Sequence, residues 1–147
     1  MYQLHATLTQ YKLEADSDYH LVLADAAGRT MISEIPDPAC VGPGSPLASS
    51  ITKARSEFDA RYTPTTSFKT ANVPVTVTGV GYFDFLHGQT GVAPNGIELH
   101  SVLNMQFGTG TANTVTVTSP GEQAGTVGTA VSLQIGAKDS APGQSLT

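Results

Sequence analysis

The chain has 147 residues, 7 of them Lys or Arg and 12 Asp or Glu, for a net charge of −5, and only 13% of its residues are charged. That length holds one domain with a real core, or one domain of roughly 100 residues plus a piece of another. Thinly spread basic residues argue against nucleic acid as a partner; a single cysteine, Cys40, excludes an internal disulfide; no apolar run reaches the ~18 residues of a membrane-spanning helix.

Leu4, Ala6 and Leu8 alternate with His5, Thr7 and Thr9, the pattern of a half-buried strand. A polar turn, Glu14 to Asp18, leads to a second strand in which Tyr19, Leu21 and Leu23 alternate with His20 and Val22. Asp25-Ala26-Ala27-Gly28 is a turn, and Arg29 to Ile35 reads as a third strand closed by Pro36-Asp37-Pro38. Ser49 or Ser50 is the expected N-cap of a helix whose face is Ile51, Ala54, Phe58 and Tyr62, stopped by Pro64. Val73, Val75, Val77, Gly79, Gly81, Phe83 and Phe85 then share the odd side of a long strand. The loop from Leu86 to Gly96 comes next, rich in glycine and hydrogen-bonding side chains. Ile97, Leu99, Leu103, Met105 and Phe107 make the apolar face of a last strand, with Glu98, His100, Asn104 and Gln106 opposite. Composition changes at Gly108. Residues 108–113 read as a linker, and residues 114–147 hold two short strand-like stretches, Thr114–Thr118 and Val127–Ile135, with almost no large apolar side chains.

The expected fold is mainly β: a five-stranded Greek-key barrel over residues 1–107, one helix between its third and fourth strands, and a short C-terminal β segment. In this order of elements, residues 3–107 resemble an OB-fold. Asp18–Leu23, Glu34–Pro38, Phe83–Phe85 and Ile97–His100 are similar to a segment of an uncharacterised bacterial family to which no activity attaches. Gly125 to Asp139 resembles the opening of an Ig-like or cadherin-like repeat of bacterial surface proteins, in the pattern G-x-V-G-x-x-V-x-L-x-I-x-A-x-D. Members often place a second acidic residue two positions on, where Ala141 stands here. The resemblance implies an incomplete Ig-like segment of a multidomain exported protein, extracellular or on the cell surface, with its export signal outside this sequence.

OB-folds bind ligands across the second and third strands, between the loop joining strands one and two and the loop joining strands four and five. His87, Gln89, Thr90 and Asn95 of the 86–96 loop, with Tyr19 and Tyr82 as stacking rings, are therefore the candidate ligand residues. A second reading has the loop's polar groups serving its own backbone. His20, His87 and His100 would make a metal site if they converged, and His87, His100 and Glu98 are the candidate ligands, although no H-x-x-x-H or C-x-x-C spacing is present. Asp16, Asp18, Asp25, Glu34 and Asp37 are either turn carboxylates or part of a nuclease-like cation site, for which Arg29 would be the phosphate holder. Cys40 has no neighbouring base to activate it. No cofactor motif is present. The function these features favour is a non-catalytic accessory module binding another protein or a glycan; the alternatives are a metal-dependent hydrolase, and a structural module that self-associates by strand addition through residues 114–135.

Overall fold

Five strands close on one another in a ring. In the computed structural model, which describes residues 1–108, the backbone of 115–118 and 136–139, and Gly128, these are β1 (Tyr2–Leu13), β2 (Tyr19–Ala24), β3 (Thr30–Ile35), β4 (Lys69–Phe83) and β5 (Ile97–Phe107), in spatial order β1-β2-β3-β5-β4. A single α-helix, α1 (Ala48–Asp59), lies between β3 and β4, after a 3₁₀ turn at Pro38–Cys40. No helix among the described residues is long and apolar enough to cross a membrane.

The first strand closes the ring by serving two neighbours. It pairs antiparallel with β4 from Tyr2↔Gly79 to Tyr11↔Lys69 and with β2 from Thr7↔Ala24 to Leu13↔Tyr19, and both registers slip between Leu8 and Gln10. One extra residue bends a strand and turns its later side chains over. The inward residues are accordingly Leu4, Ala6 and Leu8 before the slip and Tyr11 and Leu13 after it. β2 pairs with β3 antiparallel, and β3 meets β5 in a short parallel contact, Ser33↔Leu99 and Glu34↔His100.

The helix fills one end of the core. Ile51, Ala54 and Phe58 are buried along it. Phe58 is fully buried, with ring centroids of Tyr11, Tyr19 and Tyr62 at 5.3, 5.4 and 5.2 Å. Aromatic clusters of this spacing add to the burial of their area. The helix starts earlier than its serines suggest. Leu47 is the N-cap without a side-chain cap, and Ser45 Oγ accepts from the Leu47 amide at 3.3 Å. Ser49 and Ser50 are thus first-turn residues, because the Ser45-Pro46-Leu47 bend has already set the helical direction.

Two expectations about which way side chains face need correction. Val75, Val77, Leu99 and Met105 are buried as the alternation requires, but Phe83 and Phe85 are 67% and 75% exposed. β1 accompanies β4 only as far as Gly79, so the β4–β5 hairpin runs on past the ring and has no interior to fill. On β5 the inward residues are Leu99, Val102 and Met105. The β4–β5 register slips once between Thr78 and Gly79 and again between Gly79 and Gly81, and each slip reverses the face presented by the residues beyond it. Gly79 sits at this irregularity because a Cβ there would come within 2.9 Å of the Ser101 carbonyl oxygen.

The chain divides at Gly110/Thr111 into two units. In the second, β6 (Val115–Thr118) pairs antiparallel with β7 (Gly136–Asp139), from Val115↔Asp139 to Thr118↔Gly136. β6 therefore has a partner strand within the chain. The stretch Val127–Ile135 lies outside the described residues except for Gly128.

Phe58→Ala should cost about 3–5 kcal/mol, the range for truncating a fully buried aromatic, measured by denaturant unfolding of the full chain. A loss under about 1 kcal/mol would mean that the helix is not a core element.

Candidate functional site

Strand pairing sets the site. On β2 and β3 the inward residues are Tyr19, Leu21, Leu23 and Ile35, so His20, Val22, Ile32 and Glu34 face outward. The registers place His20 opposite Glu34, and Glu34 opposite His100. One carboxylate thus lies between two imidazoles in a row across three strands. Glu98 stands two residues before His100, the β1–β2 turn brings Glu14, Asp16 and Asp18, and the β4–β5 hairpin brings Tyr82, Asp84, His87 and Gln89. Together these side chains, Asp18 apart, line a cleft of about 500 Å³.

The loop 84–96 folds back over the same face and ties itself down. Gln89 Nε2 donates to Asp84 Oδ2 and to the Phe85 carbonyl, both at 2.8 Å, and Gln89 Oε1 accepts from the His87 amide at 3.0 Å. Asn95 Oδ1 accepts from the Ile97 amide at 3.3 Å. Gly91, at φ 87°, presses on Val22, where a Cβ would meet Val22 Cγ1 at 2.5 Å. The Thr90 carbonyl oxygen lies 2.9 Å from His20 Nε2. A carbonyl only accepts, so Nε2 carries a proton and donates to it.

His20 is buried, and its Nδ1 faces Glu14 Oε1 at 3.3 Å and Glu34 Oε1 at 3.5 Å. Burial pulls its pKa down, but the Glu34 hydrogen bond, the Thr90 carbonyl and the charges of Glu14 and Glu34 together hold it above the usual 6.5. On the other side of the row, His100 Nδ1 faces Glu34 Oε2 at 3.4 Å and Glu98 Oε1 at 3.3 Å, and His100 Nε2 faces Asp18 Oδ2 at 3.8 Å. Asp18 Oδ1 accepts from the Asp37 amide at 2.8 Å, which leaves Oδ2 directed at His100. Asp18 and Glu98 are both pushed up in pKa, by burial first and then by neighbouring carboxylates, Asp16 and Glu34 for Asp18, Glu34 and Asp84 for Glu98. Lys12 Nζ, 2.9 Å from Glu14 Oε1, supplies positive charge beside the cleft. The cleft gathers carboxylates and imidazoles with one lysine beside it, a donor set able to attract a cation.

Comparison with protein-family models, curated proteins and solved structures found no match. Of the residues singled out in the sequence, His87, Gln89, Tyr82, Glu98 and His100 meet in the cleft. His87, 55% exposed and 3.7 Å from Asp84 Oδ2, stands at its rim. Thr90 contributes its carbonyl rather than its hydroxyl. Asn95 serves its own loop. Tyr19 belongs to the core, its hydroxyl donating to Asp59 Oδ1 at 2.8 Å and the Arg55 guanidinium lying 3.3 Å over its ring. Arg29 pairs with Asp25 at 2.7 Å, and Asp37 Oδ1 accepts from the Ala39 amide of its own turn; neither lines the cleft. Glu14 and Asp84 carry no motif that marks them in the sequence. Their signal is position alone, in the β1–β2 and β4–β5 connections.

His20, Asp18 and Glu98 all have folded-state pKa values above their unfolded ones, so each contributes most to stability below the ordinary value and loses that contribution as pH rises through the raised one. Without added metal the melting temperature should fall as pH climbs from about 4 through the region above 6.5. His20→Asn should flatten the upper part of that slope; an unchanged profile would refute the charge assignment. Gly91→Ala should cost about 1–3 kcal/mol through strain at positive φ and the clash with Val22. Part of the loss should return in Gly91→Ala/Val22→Ala, read from chemical denaturation.

Proposed function

We propose that residues 1–108 are an OB-like barrel acting as an accessory binding module, and that its cleft holds a divalent cation through Glu14, His20 and Glu34. The ion completes the face on which the module takes another protein chain or a glycan. The strand order β1-β2-β3-β5-β4 and the position of the cleft, over β2, β3 and the adjoining ends of β4 and β5 between the 1–2 and 4–5 loops, support the OB-like reading. Placement outside the cell rests on the surface-repeat resemblance of residues 125–139.

The observation that carries the cation is His20. Its Nε2–H is fixed by a backbone carbonyl, so Nδ1, which faces Glu14 and Glu34, is the nitrogen that would take an ion on giving up its proton. A metal-binding imidazole usually has its other nitrogen held in this way. The separations of Nδ1 from the two carboxylates, 3.3 and 3.5 Å, are wider than the ~2.8 Å of a charge-assisted hydrogen bond. They match the roughly 3.3–3.4 Å between two ligands of a tetrahedral ion with bonds of about 2.05 Å. Glu14, His20 and Glu34 offer ligand atoms that all lie within 4.8 Å of one another. One imidazole with two carboxylates suits Zn²⁺ or Mn²⁺ better than Ca²⁺, which prefers oxygen throughout. For the outer ligand, Tyr82 is half exposed at the cleft wall, edge-on to His100 at 5.8 Å, and Phe85 stacks on His87 at 5.6 Å. Such rings suit the apolar face of a sugar or an aromatic anchor of a protein.

The chelator-treated 147-residue chain should take up Zn²⁺ or Mn²⁺ in isothermal titration and melt at higher temperature when loaded. Glu14→Gln should weaken uptake at this set at least ten-fold, and Lys12→Met should tighten it by removing a competitor for Glu14. Metal uptake that ignores Glu14→Gln, or no uptake at all, would overturn the reading.

A further inference from the structure

Glu34 has a second oxygen, and it points the other way. Oε1 faces His20 Nδ1 at 3.5 Å, whereas Oε2 faces His100 Nδ1 at 3.4 Å. This split is imposed by the backbone. The antiparallel β2–β3 register sets His20 beside Glu34, and the parallel β3–β5 register sets His100 on its other flank. Beside Oε2 a second group forms, Asp18, Glu34 and His100, with one ligand atom from each within 4.8 Å of the others; Glu34 Oε2 faces His100 Nδ1 at 3.4 Å, and Asp18 Oδ2 faces His100 Nε2 at 3.8 Å. Asp18 is oriented for this by the Asp37 amide on Oδ1.

We infer that the cleft is a dinuclear centre, with Glu34 as a bridging carboxylate between one divalent ion at Glu14 and His20 and another at Asp18 and His100. The inference rests on the single-ion reading above and extends it to a second ion. The electrostatics favour the pair. The carboxylates of Glu14, Asp18, Glu34 and Glu98 crowd one face around His20 and His100. Two doubly charged ions neutralise four carboxylates; one ion leaves half of that charge uncompensated. The bridge also explains why the row has imidazole on both flanks of a single acid. Each ion gains a neutral nitrogen donor beside the shared oxygen-donor ligand, a set that fits first-row ions. Ions bridged in this way lie about 3.5–4 Å apart, close enough for their unpaired electrons to couple.

Manganese tests this on the 147-residue chain. The wild-type protein should bind two Mn²⁺ in isothermal titration. At full loading its electron paramagnetic resonance spectrum should lose the hyperfine sextet of isolated Mn²⁺ and show a broadened, exchange-coupled signal. His100→Asn, at a partly exposed position, should bind one ion and recover the sextet. Glu14→Gln should likewise keep one ion, at the Asp18–His100 side. Two ions with an undisturbed sextet in the wild type, or only one ion in the wild type, would overturn the pair. If that one ion is lost in Glu14→Gln, the single-ion reading stands while the dinuclear one falls. If it is unaffected by Glu14→Gln, or no ion binds, both fall.

Discussion

Glu34 is the hinge of this molecule. With Ser33, it sits where an antiparallel and a parallel strand contact share residues, and it has His20 on one side and His100 on the other. Everything proposed for the cleft descends from that placement. If the β3–β5 contact slid by one residue, Glu34 would face Leu99 instead of His100, and the row of polar groups would be broken by an apolar one. The site therefore depends on closure of the ring, because β3 and β5 are brought together only by the crossover through the helix and β4.

The interior and the site pull on the same strands from opposite faces. Leu21, Ile35 and Leu99 bind the ring from within, and their neighbours His20, Glu34, Glu98 and His100 are thereby presented together outside. Glu98 and His20 are nonetheless nearly inaccessible to solvent, since the 84–96 loop roofs that face. A set of like charges held away from water is costly unless something opposes it. Burial and neighbouring carboxylates push the pKa of Asp18 and Glu98 up, and the proposed ions would oppose the same crowding.

Much of the ring is legible in the chain, because period-two alternation and a lone amphipathic helix are local signals. Val75, Val77, Leu99 and Met105 face the core as their spacing requires. Register slips carry no such signal. Val102 replaces position 101 in the core through two of them, and Phe83 and Phe85 lie in solvent because the hairpin outruns β1. Neither fact is written in a window of a few residues. The site is legible only in pieces. His20, Glu34, Glu98 and His100 each stand on the polar side of a strand, but their meeting depends on which strands become neighbours. The parallel pairing of β3 with β5, separated by more than sixty residues of chain, is a tertiary fact. Tyr19 misleads for the same reason: a strand tyrosine with a polar tip suits a binding face or a helix-capped core equally well, and here Phe58 and Arg55 claim it.

The roof over the cleft is fastened to His20 by the main-chain oxygen of Thr90. A tether of that kind has no memory of which side chain stands at its anchor. Evolution is free to vary residue 90 without loosening the fastening, whereas the imidazole that grips it also faces Glu14 and Glu34 and has no comparable freedom. Variation among relatives should therefore be lopsided across this contact, with drift on the loop and constancy on the strand beneath it.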